Sequence, residues 1–127
     1  MAESFKVLGQ VGLQFSDVSE HPYTLLYSVP TKSDAKYALG VPSQAIVSSI
    51  VVCNRENSAN AYNLAVVPSG ETGPSFHHLI FATKSIDANE THVISIGLGM
   101  QTGDAIYAQQ SVDDKSFSVS AFGIEIV

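Results

Sequence analysis

Two apolar runs separated by a short polar stretch decide the fold of this chain. Gln44–Asn54 reads QAIVSSIVVCN, residues 59–68 read ANAYNLAVVP, and the stretch between them reads RENS. β-Branched residues crowd the rotamers allowed in a helix but fit the pleated surface of a sheet, so both runs are predicted to be strands. The turn formers between the runs indicate that the two strands form a β-hairpin.

The first of these strands is apolar on both of its faces. Its odd positions include Val47 and Val51, and its even positions include Ile46, Ile50 and Val52. A strand in a two-sheet sandwich needs only one apolar face, because the other face meets water. The second face is therefore expected to be covered, either by another part of the chain or by another molecule.

Six further strands are predicted along the 127 residues. Period-two alternation marks the first of them, and Pro, Gly, Asp and Asn bound the others. The eight predicted strands are residues 5–15, 23–29, 44–54, 59–68, 76–82, 91–98, 105–111 and 116–126, and the longest loop is residues 31–43. We therefore predict one all-β domain over residues 1–127. It is expected to be an eight-stranded antiparallel β-sandwich with a jelly-roll or an immunoglobulin-like topology.

The alternation within these strands also predicts which side chains form the core. Burying each such side chain fully contributes roughly 1.5–3 kcal/mol. The predicted core residues are Val7, Val11, Leu13, Val47, Val51, Leu64, Val66, Leu79, Phe81, Phe117 and Val119.

Charge and composition restrict the classes of partner. The net charge is −6 and the six Lys and Arg residues are scattered, so no nucleic-acid partner is expected. No apolar stretch is long enough to span a membrane, and the N-terminal residues lack the features of a signal peptide, so folding in a cytoplasm is expected. Only 14% of the residues are charged, against about 25% in ordinary soluble domains. This composition is typical of a protein that works packed in an assembly.

The residues that carry chemistry form no convincing site. His77 and His78 are expected to point to opposite faces of a strand, so both cannot easily bind one metal ion. No nucleophile elbow, Gly-rich phosphate loop or Cys–His pairing occurs. The lone Cys53 lies within an apolar strand and is expected to be a buried, inert thiol. We therefore predict no catalytic residue, no metal site and no cofactor.

The apolar rows that one sandwich core cannot absorb predict an intermolecular interface. A large apolar patch is rare on a soluble monomer, which favours a homo-oligomer or docking to a larger shell. The residues predicted to form this interface are Ile46, Ile50, Val52, Ile94, Ile96, Phe122, Ile124 and Ile126.

Several short motifs together resemble a known group of proteins. They are VLGQ at residues 7–10, LYSVP at 26–30, SIVVCNR at 49–55, DANET at 87–91 and FGIEI at 122–126. In this order they resemble small β-sandwich virion proteins of tailed bacteriophages, particularly phages of marine and cyanobacterial hosts. The chain departs from that group at residues 31–43, where its loop is longer and charged.

The resemblance implies a non-enzymatic virion structural protein, assembled in the host cytoplasm. A head decoration (cement) protein bound to the major capsid protein is favoured, and a small tail, baseplate or fibre component is the alternative. The resemblance also favours a homotrimer. Two other classes stay open, a carbohydrate-binding β-sandwich used in host attachment and, more remotely, an enzyme. The absence of Trp from the sequence weakens the carbohydrate hypothesis.

Overall fold

The regular secondary structure of the described chain is almost entirely β-strand. The computed structural model describes residues 3–13, 23–31, 41–110 and 117–127. Its strands are β1 (Glu3–Leu13), β2 (Thr24–Ser28), β3 (Gln44–Asn54), β4 (Asn60–Val67), β5 (Leu79–Ile86), β6 (Thr91–Gln101), β7 (Ala105–Gln110) and β8 (Phe117–Ile126). A 3-10 turn, Phe76–His78, precedes β5. The predicted all-β class and the eight strands are confirmed.

The strands form two four-stranded antiparallel sheets. The first sheet has the order β1-β8-β3-β6 and the second has the order β2-β7-β4-β5. Strands 1 and 8, 2 and 7, 3 and 6, and 4 and 5 are paired, as in one long hairpin whose tip lies between β4 and β5. Winding that hairpin around a core brings β8 beside β3 and β7 beside β4. This connectivity is a jelly roll, so the immunoglobulin-like alternative is wrong.

The predicted hairpin between β3 and β4 is also wrong, because the two strands lie in different sheets. The connection between them is held by Asn54, which is buried. Its Nδ2 donates to the carbonyl oxygens of Ser58 and Asp87, both at 3.0 Å, and its Oδ1 accepts from the Glu56 N–H at 3.1 Å. Turn-forming residues permit a crossing between sheets as readily as a hairpin, so the local pattern could not distinguish them.

Register shifts in β1 and β3 decide which side chains face the core. β3 shifts between Val47 and Ser49 against both of its neighbours. An extra or missing residue at such a point moves the following side chains to the opposite face. Val47 before the shift and Ile50 after it are therefore both buried, although one is odd-numbered and the other even.

In β1 a similar shift lies between Val7 and Gly9. Leu8 and Val11 pack against the core, whereas Phe5 and Val7 are exposed. The prediction that Val7 belongs to the core is wrong for this reason.

The core lies between the two sheets. Of the predicted core residues, Val47, Leu64 and Val119 are buried, and Val11, Val66 and Phe81 pack against them. Val51 alternates with buried neighbours on β3 and faces outward, which contradicts its prediction, and Leu79 is half-buried. The side chains of Leu13 and Phe117, and most of the predicted loop over residues 31–43, lie outside the described residues. No helix in the described part of the chain is long and apolar enough to cross a membrane.

Candidate interaction surface

The outer face of the first sheet carries an apolar patch that crosses three strands. Phe5 of β1 pairs with Ile124 of β8, which pairs with Ile46 of β3. In the next row Val7 of β1 pairs with Phe122 of β8. Phe5, Val7 and Ile46 are 66%, 49% and 41% exposed, and the other two are half-buried. We call these five residues the outer-face patch.

The outer-face patch is electrically neutral in an acidic protein. Its registered neighbours on β3 and β6 are Ser49, Ser95 and Gly99. No charged side chain lies among these neighbours or within the patch itself, although the whole chain has a net charge of −6. Another neutral surface can therefore approach it without like-charge repulsion, and burying its apolar atoms is favourable. Such a cluster is characteristic of an interaction surface.

The structure separates the eight predicted interface residues into two groups. Ile46, Phe122, Ile124 and Ile126 lie on the outer face of the first sheet, by alternation with the buried Glu125 and Ala45. Ile50 and Val52 are fully buried between the sheets, and Ile94 and Ile96 pack against the same core. For Ile50 and Val52 the surface assignment is wrong. Ile94 and Ile96 stay partly exposed, so for these two, as for the first four, the interface stays a prediction.

Sequence reasoning missed the contribution of β1 to this surface. Val7 was placed in the core because unbroken alternation puts it, together with Phe5, on the same face as Val11. The register shift after Val7 reverses that face. A possible signal is Gly9, because a side chain there would collide with the backbone carbonyl of Leu26. A glycine within a strand often marks a close backbone approach or a bulge.

An ion pair lies on the inner side of the sheet, beneath the patch. Glu125 of β8 is only 4% exposed. Its Oε1 lies 2.6 Å from Lys6 Nζ, and its Oε2 accepts a hydrogen bond of 2.5 Å from the Tyr27 hydroxyl. Lys6 belongs to β1 and Tyr27 to β2, so the carboxylate joins the two sheets at this end. The contacts anchor β1, which carries Phe5 and Val7, the two most exposed residues of the patch.

A Tyr–His–Glu chain joins the sheets at the other end of the core. The Tyr62 hydroxyl donates to His92 Nδ1 at 2.8 Å when the imidazole is neutral, and His92 Nε2–H then donates to Glu90 at 3.0 Å. Burial raises the pKa of Tyr62, and the nearby Glu90 carboxylate adds to that rise. The order of groups is that of a nucleophile, a base and an orienting carboxylate. Tyr62 is fully buried, however, so its hydroxyl cannot reach a substrate and the chain acts as a cross-link.

A third polar cluster brings His77 and His78 together with Glu71. Both histidines lie in the 3-10 turn rather than on a strand, so the reason given for their separation is wrong. Their ring centroids are 4.0 Å apart, and the candidate ligand atoms of the three residues lie within 4.8 Å of one another. This spacing is compatible with a transition-metal site.

The hydrogen bonds of His78 do not fit a metal ligand. The Ser75 N–H donates to His78 Nδ1 at 2.9 Å, so the proton of the neutral imidazole must lie on Nε2. That proton is donated to Glu71 Oε1, also at 2.9 Å. A metal-bound histidine usually donates its second N–H outward, whereas here a donor faces that position. The cluster therefore fits the turn at residues 71–78 better than it fits an ion.

This cluster makes stability depend on pH. The hydrogen bond from His78 is the main cause that holds the pKa of Glu71 below its usual value of 4.5. The folded state therefore binds the Glu71 proton less readily than the unfolded state does. The resulting stabilisation is complete above pH 4.5 and is lost as the pH falls through the lower folded-state pKa.

We expect Glu71→Gln to remove this pH-dependent contribution. The difference in unfolding free energy between wild type and variant should be largest near neutral pH and should shrink below pH 4.5. Urea unfolding at a series of pH values measures it. A difference that stays constant down to pH 3 would show that the Glu71–His78 bond does not act as described.

Comparisons with known proteins bear on the fold alone. No protein-family model matches the chain, and neither does any curated protein. A solved structure of infectious bursal disease virus, Gt strain, contains a chain with a similar fold, at a TM-score of 0.55 and 11% sequence identity. The match covers 98% of this chain and 32% of that one, so the protein spans about a third of the viral chain.

Proposed function

We propose that this protein is a non-enzymatic structural component of a virus particle, and that it assembles through the outer-face patch. The observation that carries the proposal is the neutral, exposed apolar surface formed by Phe5, Val7, Ile46, Phe122 and Ile124. Two further observations support it: the low content of charged residues and the fold shared with a chain of a virus structure.

A more specific proposal follows from the resemblance to small virion proteins of tailed bacteriophages. The protein would then be a head decoration protein that binds the major capsid protein as a homotrimer, and that is assembled in the host cytoplasm. A role in the tail, baseplate or fibre is the alternative position on the particle. In each position the outer-face patch is the surface that meets another chain, because its burial stabilises the complex.

The structural role is favoured over catalysis by the placement of the polar groups. The Tyr62 hydroxyl is sealed in the core, and Glu125 is engaged by Lys6 and Tyr27. The clusters around Glu125 and Tyr62 connect strands, and the cluster around Glu71 stabilises a turn. Each therefore has a sufficient structural reason for its presence.

A carbohydrate-binding role is the second candidate. A shallow hollow of about 350 Å³ lies at the polar end of the first sheet, and the residues lining it include Gln10, Arg55 and Ser120. These groups offer hydrogen bonds to a sugar, but none of the described lining residues is aromatic. Stacking against an aromatic ring is the usual source of affinity for sugars, so the hollow supports this function less than the patch supports assembly. Binding on a glycan array, lost in Arg55→Ala, would favour it.

The proposal predicts that a charge in the outer-face patch abolishes assembly. Ile124→Asp places a carboxylate at the centre of the apolar row, where burial in an interface would cost several kcal/mol. Light scattering should find an oligomer for the wild type and a folded monomer for the variant. Ile80→Asp is the matched control, because Ile80 is an exposed residue of similar size on the second sheet and should leave the oligomer intact.

The position on the particle is tested by electron microscopy. Antibody-labelled protein should be found on purified virus particles, and particles assembled with Ile124→Asp should lack the label. A wild-type protein that is monomeric at high micromolar concentration and absent from the particles would contradict the proposal.

A further inference from the structure

The four strands at the sheet edges differ in how they are protected. β1 and β6 are the edges of the first sheet, and β2 and β5 are the edges of the second. An edge strand presents unpaired N–H and C=O groups, which can pair with a strand of another molecule. Natural proteins prevent this with short strands, charged side chains, proline or bulges.

Three of the four edges carry such protection. β1 carries Lys6 and loses its alternation at the register shift after Val7. β2 has only five residues. β5 carries Lys84, has Thr83 at a positive φ of 50°, and shifts register twice against β4. None of these strands offers a long regular row of backbone groups.

β6 has none of the side-chain protection. Its eleven residues, THVISIGLGMQ, include no Asp, Glu, Lys, Arg or Pro. Among the described residues, β6 forms a strand pair only with β3. The pairing with β3 shifts register between Ser95 and Leu98 of β6, but more exposed and less exposed side chains of β6 still alternate without a break from Thr91 to Gly99. The inward residues Ile94, Ile96 and Leu98 pack against the core but stay partly exposed along this open side.

The sequence of β6 is complementary to itself in the antiparallel direction. A two-fold axis at Ile96 pairs the whole strand, and it places Ile94 opposite Leu98 of the second copy on the inner face. On the outer face it places Val93, which is 67% exposed, opposite Gly99. Gly99 has open space where a side chain would stand, so it leaves room for the valine. Cross-strand pairs of this kind stabilise a sheet.

Charge also permits this pairing although the chain carries a net charge of −6. With the axis at Ile96, Glu90 falls opposite Thr102 and Asp104 falls opposite Ala88, so no two acidic side chains are directly opposed. Like charges in that position would be destabilising.

We infer that β6 pairs with β6 of a second copy of this chain about a two-fold axis, which joins two first sheets into one continuous eight-stranded sheet. The inference does not depend on the proposal that the protein belongs to a virus particle. It rests on the edge position of β6 and on the side chains of that strand. It adds a contact distinct from the outer-face patch. A two-fold contact produces even-numbered assemblies, whereas the trimer proposed above uses a three-fold contact.

A disulfide cross-link tests the pairing and its register. Only the residue on a two-fold axis lies opposite itself, where the Cα–Cα distance of about 4.5–5.5 Å in an antiparallel pair suits a disulfide. Ile96→Cys should therefore give a covalent dimer on mild oxidation. The matched control is Leu98→Cys, another inward, partly exposed residue of the same strand. Its two copies would lie about 13 Å apart along the strands, too far for a bond.

Both variants are made with Cys53→Ser, so that each chain has one thiol. Circular dichroism checks that both are folded. A dimer yield at least tenfold higher for Ile96→Cys than for Leu98→Cys is the expected result. Equal yields, or no cross-link at either position, would overturn the inference.

Hydrogen exchange of the unmodified protein provides a second measurement that does not depend on a variant. Amides of β6 that do not bond to β3 should become protected as the protein concentration rises, and amides of β5 should not. Exchange in β6 that is independent of concentration would also overturn the inference. Repeating the Ile96→Cys cross-link in a chain that also carries Ile124→Asp separates the two proposals. Loss of the contact through the outer-face patch should leave the yield of covalent dimer unchanged.

Discussion

Ile50→Asp should leave the chain without a cooperative folded state. Ile50 is fully buried between the two sheets, where a carboxylate would have no cationic partner among the described core residues. Burying an unpaired charge costs several kcal/mol, and the cavity left by the lost aliphatic atoms adds to this cost. The total is comparable with the 5–15 kcal/mol that stabilises a typical domain. Circular dichroism and NMR spectra should show an unfolded chain.

Ile46→Asp is the matched control for this prediction. Simple alternation places Ile46 and Ile50 on the same face of β3, since they are four residues apart. The register shift after Val47 places them on opposite faces, and Ile46 is 41% exposed. Ile46→Asp should therefore change the unfolding free energy of the monomer by only about 0.5 kcal/mol. If both variants fold, or if neither does, the assignment of faces on β3 is wrong.

Lys6→Met should destabilise the fold by roughly 2–3 kcal/mol, because it removes the ammonium group that faces the buried Glu125 carboxylate. The Lys6 Nζ–Glu125 Oε1 distance is 2.6 Å, and the carboxylate is 4% exposed. The cost is smaller than for a fully buried pair, since the Lys6 side chain is 40% exposed and solvent screens part of the interaction. Urea unfolding at neutral pH measures the effect.

A double-mutant cycle separates the charge from the packing. Adding Glu125→Gln to Lys6→Met removes the carboxylate charge that faces Lys6 in the wild type and keeps an oxygen that can accept from the Tyr27 hydroxyl. The double variant should therefore be more stable than Lys6→Met alone. A loss below about 0.5 kcal/mol in Lys6→Met, typical of an exposed pair, would show that Glu125 is solvated.

Strand positions could be predicted from the sequence because β-branched runs and turn-forming residues are local features. β3 was predicted with its observed limits, since its eleven residues are rich in β-branched side chains and are followed by turn formers. β5 was predicted less well: the strand begins at Leu79 rather than at residue 76, because the Ser75–His78 hydrogen bonds form a 3-10 turn there. The low content of charged residues, which favours assembly, was likewise visible from residue counts alone.

The pairing of strands required the tertiary structure. Two neighbouring strands with a polar connection satisfy their local preferences equally well as a hairpin or as a crossing between sheets. The choice between these arrangements depends on distant partners, such as the β8 strand that occupies one side of β3. For the same reason, the Asn54 bond to Asp87 could not be anticipated from a separation of 33 residues.

The identity of the exposed side chains also depended on the tertiary structure. Alternation determines which residues share a face only while the register is unbroken, and each shift reverses every side chain that follows it. The shift near Leu8 depends on how β1 fits against β8, and the shift near Ser48 on how β3 fits between β8 and β6, so both depend on backbone contacts across the sheet. The sequence by itself determined that more apolar surface exists than one sandwich core can bury. Only the tertiary structure decided that Phe5 and Val7 would carry it and that Ile50 and Val52 would not, because burial depends on the faces that the register creates.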